Sequence, residues 1–244
     1  MNNYKLEIQY NGKNYAGWQI QNNAMTVQQT IMDKIEILIK ERVNLIGSGR
    51  TDAGVHALGQ AANFRTEAEL EPDKFAYSLN SLLPRDISIV CTEKVHESFH
   101  SRFDAKKRAY IYLFTHIKSP FYDDFADYTK WLTVEHIITL KELSGALLGS
   151  HDFTSFMKKQ AENENKVCNV YDINWRRSKN LSIFYIQADR YLHGMVRAIV
   201  GTLLHAVSND LSKEHIIDVL NARNRDAAAM SAPAKGLFLY KVRY

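Results

Sequence analysis

Hydrophobic and polar residues alternate in several short stretches of the chain, and a period of two is typical of half-buried strands. The alternation is clear from Tyr4 to Tyr10. Gln60 to Thr66 can form another strand, and in a strand from Tyr110 to Phe114 the aromatic residues face one side and the aliphatic residues the other. Two later stretches, Val170 to Trp175 and Leu181 to Ala188, are separated by a short polar connection and predict a hairpin.

Apolar residues recur at helical spacing in other parts of the chain. The predicted helices span Thr26 to Glu41, Pro72 to Leu83, Thr133 to Leu148, Tyr191 to Ala206 and Ser212 to Leu220. The first begins with Thr26 and Gln29 at the spacing of a capping box. Strands and helices alternate irregularly and include hairpins. This order favours an α+β fold with a mostly antiparallel sheet over a doubly wound parallel one.

A chain of 244 residues is long enough for one large domain or two small ones. A boundary near Arg102 to Lys106 predicts an N-terminal subdomain at 1–103 and a C-terminal subdomain at 104–244. No run of about 18 apolar residues appears, so we expect no membrane span. Cys91 and Cys168 are too few for a disulfide framework or a cysteine-based zinc site. We therefore expect a cytoplasmic protein without a structural metal.

The formal net charge is +4, which does not by itself indicate a nucleic-acid partner. Local basic clusters are more informative, although each one alone is typical of a solvated surface. They are Arg102 with Lys106 to Arg108, Lys158 with Lys159, Arg176 with Arg177, and Arg223 with Arg225. Together they favour an anionic polymer as partner.

The stretch from Gly47 to Ala57, GSGRTDAGVHA, follows an apolar run, Val43 to Ile46, that predicts a strand. Its three glycines permit tight bends and place Arg50, Asp52 and a histidine within seven positions. A structural turn capped by Asp52 is one interpretation. A phosphate-binding loop is another, but the stretch lacks G-x-x-x-x-G-K-[ST] and G-x-G-x-x-G.

The whole string from Gly47 to Ala57 resembles the catalytic motif of the tRNA pseudouridine synthase A family. The segment from His100 to Tyr112 is similar to the second motif of that family, and Ala232 to Leu239 is similar to the third. The resemblance extends over nearly the whole chain, from Tyr4 to Tyr244. It implies a pseudouridine synthase fold, in which two α/β subdomains share a central sheet and enclose a cleft.

The resemblance also implies a function, namely isomerisation of uridine to pseudouridine at positions 38 to 40 in the anticodon stem and loop of tRNA. The base is detached at N1, turned and rejoined at C5, so neither a metal nor an organic cofactor is needed. The implied partners are tRNA and a second copy of the chain in a homodimer, with no membrane.

The family motif assigns the catalytic carboxylate to Asp52. This group acts as a nucleophile on the ribose or as a base that removes the C2′ proton, and the sequence does not choose between them. Arg197 falls where a basic residue pairs with the catalytic aspartate, in a helix that is otherwise strongly apolar. From the residues alone, a charge in so apolar a helix should pair with a carboxylate or another anion, and an arginine whose charge extends to the rim of the helix is the alternative.

The remaining site residues also follow from the resemblance. Arg50 fills the space that the flipped uridine vacates or holds its phosphate. Tyr110 stacks on the detached uracil or assists the proton transfer at C5. Leu237 and Leu239 line the pocket.

Two positions depart from the family pattern. Gly194 stands where a histidine or another polar residue is common, and Cys168 stands where an arginine is usual. Three rival hypotheses remain: a catalytically silent RNA-binding protein, an enzyme of the same fold with another RNA substrate, and a hydrolase that uses Asp52 with His56 or His151. The intact Arg-Thr-Asp sequence argues against the first, and no spacing supports the third.

Overall fold

The computed structural model describes residues 1–159 and 164–244, which divide into two units. Unit 1 comprises Met1–Lys106 and Phe238–Tyr244, and unit 2 comprises Lys107–Leu237. The sequence-based division placed all of 104–244 in the second subdomain. In the structure the terminal residues instead belong to unit 1, because Phe238 and Leu239 pair with a strand of that unit.

The described residues form ten strands and five α-helices. The strands are β1 (Asn2–Tyr10), β2 (Ile46–Gly47), β3 (His56–Thr66), β4 (Ile87–Val95), β5 (Lys107–Thr115), β6 (Asp127–Tyr128), β7 (Gly149–Asp152), β8 (Val167–Arg177), β9 (Leu181–Ala188) and β10 (Leu237–Arg243). The helices are α1 (Val27–Ile39), α2 (Pro72–Leu82), α3 (Val134–Ser144), α4 (Met195–Ser208) and α5 (Lys213–Ala222).

In unit 1 the strand order is β4-β1-β3-β10, and β2 pairs with β3. The pairs of β1 with β3 and β4 are antiparallel, whereas β10 runs parallel to β3. Alternate residues of β1 are fully buried, including Tyr4, Leu6 and Ile8. Helix α2 packs against β4 and α1. The period of two in β1 therefore corresponds to one face that is buried in the core of unit 1.

In unit 2 the strand order is β5-β9-β8-β7, with β6 parallel to β5 and the other pairs antiparallel. Helix α3 packs against β8 and α4. Trp175 of β8 contacts Phe114 and Phe184 with ring centroids 5.7 and 4.8 Å apart. The predicted α+β fold with a mostly antiparallel sheet is confirmed.

Three local predictions need correction. Only Ile46 of the predicted strand at Val43 to Ile46 belongs to a strand, which continues to Gly47. Thr26 caps α1 by accepting from Gln29 N, but the Gln29 side chain donates to Asp33 instead of completing a capping box. Finally, α4 begins at Met195 rather than Tyr191, because Gly194 has φ +75° and left-handed backbone does not continue a helix.

No helix formed by the described residues, 1–159 and 164–244, combines the length and the apolar character needed to cross a bilayer.

Candidate active site

Residues 48–55, which we call the Asp52 loop, connect β2 to β3 in unit 1. The start of the loop is bonded to β3. Ser48 N donates to Ala61 O at 2.7 Å, and Ser48 Oγ donates to Gln60 Oε1 at 2.7 Å. Gln60 Nε2 in turn donates to Gly49 O at 3.0 Å. These bonds fix the backbone that enters the loop.

The centre of the loop is held through Thr51. The buried Thr51 hydroxyl lies 2.8 Å from the hydroxyl of Tyr10, and Thr51 O accepts from Trp18 N at 3.2 Å. One residue later, Val55 N donates to Asp52 O at 3.1 Å. The Asp52 residue itself is half-buried. The backbone before the carboxylate is therefore positioned by neighbouring segments of unit 1, and the backbone after it by a bond within the loop.

Two glycines outside the loop let the chain pass close to it. Gly17 has φ +100°, and a Cβ there would lie 2.5 Å from Thr51 O. A Cβ at Gly12 would lie 2.0 Å from Val55 O. Because real Cβ atoms do not approach backbone oxygens so closely, both positions require glycine to keep the loop in place.

Arg50 lies two residues before Asp52 and is exposed. Its Nε donates to Gln19 Oε1 at 3.2 Å. The side chain is thus oriented by a neighbour while most of it remains accessible to a ligand.

His56 has the surroundings of a core residue. It is 1% exposed, its Nδ1 accepts from Gly12 N at 3.1 Å, and its ring stacks on Phe238 with centroids 4.7 Å apart. An acceptor role for Nδ1 places the ring proton on Nε2 when the histidine is neutral. These contacts give His56 a structural role at the junction of β3 and β10.

In unit 2, Tyr110 lies on β5 opposite Ile186 of β9 and is buried. Its ring meets that of Tyr191 edge to face, with centroids 5.0 Å apart. Tyr191 OH donates to Arg108 O at 3.3 Å. Burial raises the pKa of Tyr191 well above its ordinary value, so that hydroxyl stays protonated. Tyr110 is thereby supported by a second, neutral aromatic ring.

Arg197 lies in the first turn of α4 and is half-buried. Its Nε donates to Ala232 O at 2.7 Å, and Ala232 N donates to Arg197 O at 3.0 Å. Burial raises the pKa of Tyr112, while the charge of Arg197 acts on it in the opposite direction. The guanidinium therefore lies within electrostatic reach of β5.

Leu237 and Leu239 are 5% and 1% exposed. The segment before them is fixed inside unit 2, since Tyr112 OH donates to Pro233 O at 2.8 Å. A Cβ at Gly236 would lie 2.5 Å from the Tyr112 ring, so this tyrosine packs directly on the backbone that leads into β10.

The two departures from the family pattern have structural settings of their own. Cys168 on β8 is fully buried, and burial raises the pKa of its thiol to about 12. It is consequently a protonated core residue at neutral pH. Gly194 has the left-handed backbone described above, a conformation in which histidine is costly.

Sequence reasoning did not identify the contacts that hold the loop from outside, which are made by Tyr10, Gln19 and Gln60. Tyr10 fits the period of two in β1 as any buried aromatic residue would, so the pattern gives no sign that its hydroxyl makes a specific contact. Gln60 did carry a signal, since a polar side chain interrupts an apolar stretch of β3 and is fully buried. Buried polar side chains have hydrogen-bond partners, so such an interruption indicates a specific contact.

Within the described residues, no group of three or more His, Cys, Asp or Glu side chains is arranged to hold a metal ion.

Comparison with known proteins identifies relatives over the full chain. The family model described as tRNA pseudouridine synthase matches residues 7–104 and 144–244. A protein named tRNA pseudouridine synthase A from Acetivibrio thermocellus is 40% identical over 247 residues and covers 100% of both chains. Proteins of the same name from Thermoanaerobacter sp. (strain X514) and Azobacteroides pseudotrichonymphae are 36% and 39% identical. They cover 100% of this chain and 100% and 97% of their own lengths.

Proposed function

This chain belongs to the tRNA pseudouridine synthase A family, and from that premise we propose that it modifies uridines 38 to 40 of tRNA with Asp52 as the catalytic residue. The family assignment makes the protein an isomerase that converts uridine in tRNA to pseudouridine. The position in the anticodon stem and loop and the roles of individual residues are the finer part of the proposal.

The reaction needs a carboxylate beside the ribose. Breaking the glycosidic bond leaves an electron-poor sugar, and a nearby carboxylate either attacks this sugar as a nucleophile or removes its C2′ proton as a base. The uracil then rotates and forms a bond from C5 to C1′, the proton on C5 is lost, and N1 gains a proton. Atoms are conserved, so the isomerisation consumes no co-reactant.

The construction of the Asp52 loop is the observation that carries this proposal. The half-buried carboxylate follows Thr51, whose side chain and carbonyl are both bonded to other segments of unit 1. A catalytic group is effective when its geometry is set before the substrate arrives. A simple surface turn would not need glycines at positions 12 and 17 to let other segments approach it.

Two arginines complete the proposed site. A uridine in a stem must leave the stack before a carboxylate can reach its sugar. Exposed Arg50, oriented by Gln19, is suited to fill the vacated space or to bind the displaced phosphate. Arg197 supplies the positive charge that keeps Asp52 ionised in this proposal, because an opposite charge favours the carboxylate form.

Tyr110 has two proposed roles that one substitution separates. If the ring stacks on the detached uracil, Tyr110→Phe retains most of the activity. If the hydroxyl moves the C5 proton, the same change lowers kcat by roughly a hundredfold or more. Leu237 and Leu239 form the apolar wall of the pocket in both versions. Homodimer formation and a cytoplasmic location belong to the proposal as well.

The substrate is tested with purified protein and an unmodified tRNA transcript that has uridine at positions 38, 39 and 40. Carbodiimide mapping should detect pseudouridine at these positions, as expected for this substrate class. The matched control transcripts carry cytidine at one of the three positions and should lose the corresponding signal only. Pseudouridine elsewhere in the tRNA would reject the proposed site while leaving the isomerisation intact.

A substitution of Arg197 tests the ion pair separately. Arg197→Ala should lower the single-turnover rate. In a plot of this rate against pH, the fall on the acidic side should move to higher pH, because Asp52 then binds a proton more readily. Arg197→Lys keeps the charge and should retain the pH profile better than the alanine variant. An unchanged rate and pH profile in Arg197→Ala would contradict the proposed pairing.

A further inference from the structure

Phe103 exposes 76% of its surface and lies in residues 99–104, which we call the Phe103 loop. The loop belongs to unit 1 and follows β4. Single exposed aromatic residues are common on protein surfaces, so exposure alone indicates nothing about function. The surroundings of this ring set it apart from an ordinary exposed residue.

Hydrogen bonds fix the backbone beneath the ring. His100 Nδ1 accepts from Arg102 N at 3.2 Å and from Phe103 N at 3.3 Å. His100 N donates to Asp104 Oδ2 at 2.8 Å, and Asp104 N donates back to His100 O at 3.0 Å. These bonds hold the backbone of the loop in one conformation, which reduces the entropy that a binding event would cost.

The ring also has cationic and aromatic neighbours. The Arg102 guanidinium carbon lies 5.7 Å from the Phe103 ring centroid, and the His100 ring lies 4.3 Å away at an angle of 35°. Asp104 is the one acid within residues 99–104, and its carboxylate accepts from a backbone amide. An exposed aromatic face beside an arginine suits a nucleobase, which stacks on the ring while its phosphate meets positive charge.

The Phe103 loop is bonded to the same strand as the Asp52 loop. Ser101 N donates to buried Asn63 Oδ1 of β3 at 2.9 Å. Asn63 lies two residues from Ala61, whose carbonyl accepts from Ser48. Two strand residues span about 7 Å, which is short compared with an RNA stem. The anchor points of the two loops on β3 are therefore closer together than the length of an RNA stem, and the proposal takes one RNA molecule to reach both loops.

We propose that Phe103 is a stacking site for an unpaired base of the substrate tRNA, separate from the uridine that reacts. The inference rests on the proposed function, because it takes tRNA as the ligand. The proposal takes the stack to be equally strong in the ground state and in the transition state, so its loss should weaken binding and leave the chemical step unchanged.

The test compares three variants by tRNA affinity and by KM and kcat for pseudouridine formation. Phe103→Ala should raise Kd and KM about tenfold and leave kcat within about twofold, in line with loss of one base stack. Phe103→Trp should restore affinity, and its added tryptophan fluorescence should change when tRNA binds. Tyr77→Ala is the matched control, because Tyr77 on α2 is 77% exposed, and its affinity should equal that of the wild type.

Unchanged Kd and KM in Phe103→Ala would overturn the stacking site, as would an equal loss in Tyr77→Ala. Sedimentation of Phe103→Ala provides a further criterion. If the variant changes its oligomeric state while its tRNA affinity per protomer is kept, Phe103 contacts another protein copy and the proposal is wrong. Failure of the wild type to form pseudouridine would reject the proposed function instead. A fluorescence response of Phe103→Trp to tRNA would then still support stacking.

Discussion

The Asp52 loop and the Tyr110 side of unit 2 present their side chains by different physical means. The loop has no regular structure, and it depends on polar bonds to Tyr10, Trp18 and Gln60 and on close passage of glycine backbone. Tyr110 lies within a regular strand and is held by aromatic packing. A change that disturbs the loop should therefore lower activity by more than an equal loss of stability does elsewhere in unit 1.

Among changes to the supports of the loop, the largest expected effect on stability comes from Gly17→Ala. The added Cβ meets Thr51 O, and the backbone is left-handed, so we expect a destabilisation of about 3 kcal/mol and loss of most activity. Thermal unfolding and kcat below the unfolding transition measure the two effects.

Gly59→Ala is the control for this change. Its Cβ would lie 2.7 Å from Tyr240 O, away from the loop, so the variant should lose stability but keep a much larger share of kcat. Equal losses of kcat in the two variants would mean that the Asp52 loop is not specifically sensitive.

A smaller effect should follow from Tyr10→Phe, which removes the buried hydroxyl that meets Thr51. Leaving that partner unsatisfied should cost about 1–2 kcal/mol and lower kcat several-fold with little change in KM. Denaturant unfolding and steady-state kinetics on the stem-loop provide the measurement.

Tyr15→Phe is the matched variant, because it also removes one tyrosine hydroxyl from unit 1. That hydroxyl donates to Asp86 Oδ1 at 2.7 Å, outside the Asp52 loop. We expect a similar loss of stability with kcat retained. A larger fall of kcat in Tyr15→Phe than in Tyr10→Phe would refute the positioning role of Tyr10.

The smallest effect concerns unit 2 and pH. His116 Nδ1 donates to Thr129 O at 3.1 Å, and the Arg177 guanidinium lies within hydrogen-bond distance of His116 Nε2. Burial, with help from the Arg177 charge, lowers the pKa of His116 below its ordinary 6.5. The unfolded chain then takes up the proton first as pH falls, so the contribution of His116 to stability is present above pH 6.5 and is lost below it.

Unfolding midpoints measured between about pH 7.5 and pH 5.5 test this direction. The fall of the unfolding midpoint with decreasing pH should be shallower in His116→Gln, because glutamine does not titrate. A wild-type midpoint that rises toward low pH by more than that of the variant would contradict the assignment.

Much of the fold follows from local patterns. The alternation in β1 and the helical spacing in α5 gave elements close to the observed ones, because burial of one face decides both. The start of α4 was misplaced, since an apolar pattern does not reveal that Gly194 adopts a left-handed conformation. The strand predicted at Val43 to Ile46 was too long. Buried Val43 and Leu45 satisfy the apolar pattern without a strand partner for their backbone.

The candidate site was predicted less completely. The motif itself identified Asp52 and Arg50 as candidates, but it contains no information on what holds them. Tyr10 and Gln19 lie 41 and 31 residues away from their partners Thr51 and Arg50. Contacts at such separations depend on how strands and turns pack, and one sequence gives no direct signal of them.

The central claim is that the Asp52 carboxylate carries the chemistry. The most direct test is the single-turnover rate of Asp52→Asn on an anticodon stem-loop, measured together with its affinity. Asparagine keeps the size of the side chain and removes the charge. The account predicts a rate lower by roughly a thousandfold or more, with Kd for tRNA nearly unchanged. A rate within about tenfold of the wild type, at equal affinity, would contradict it.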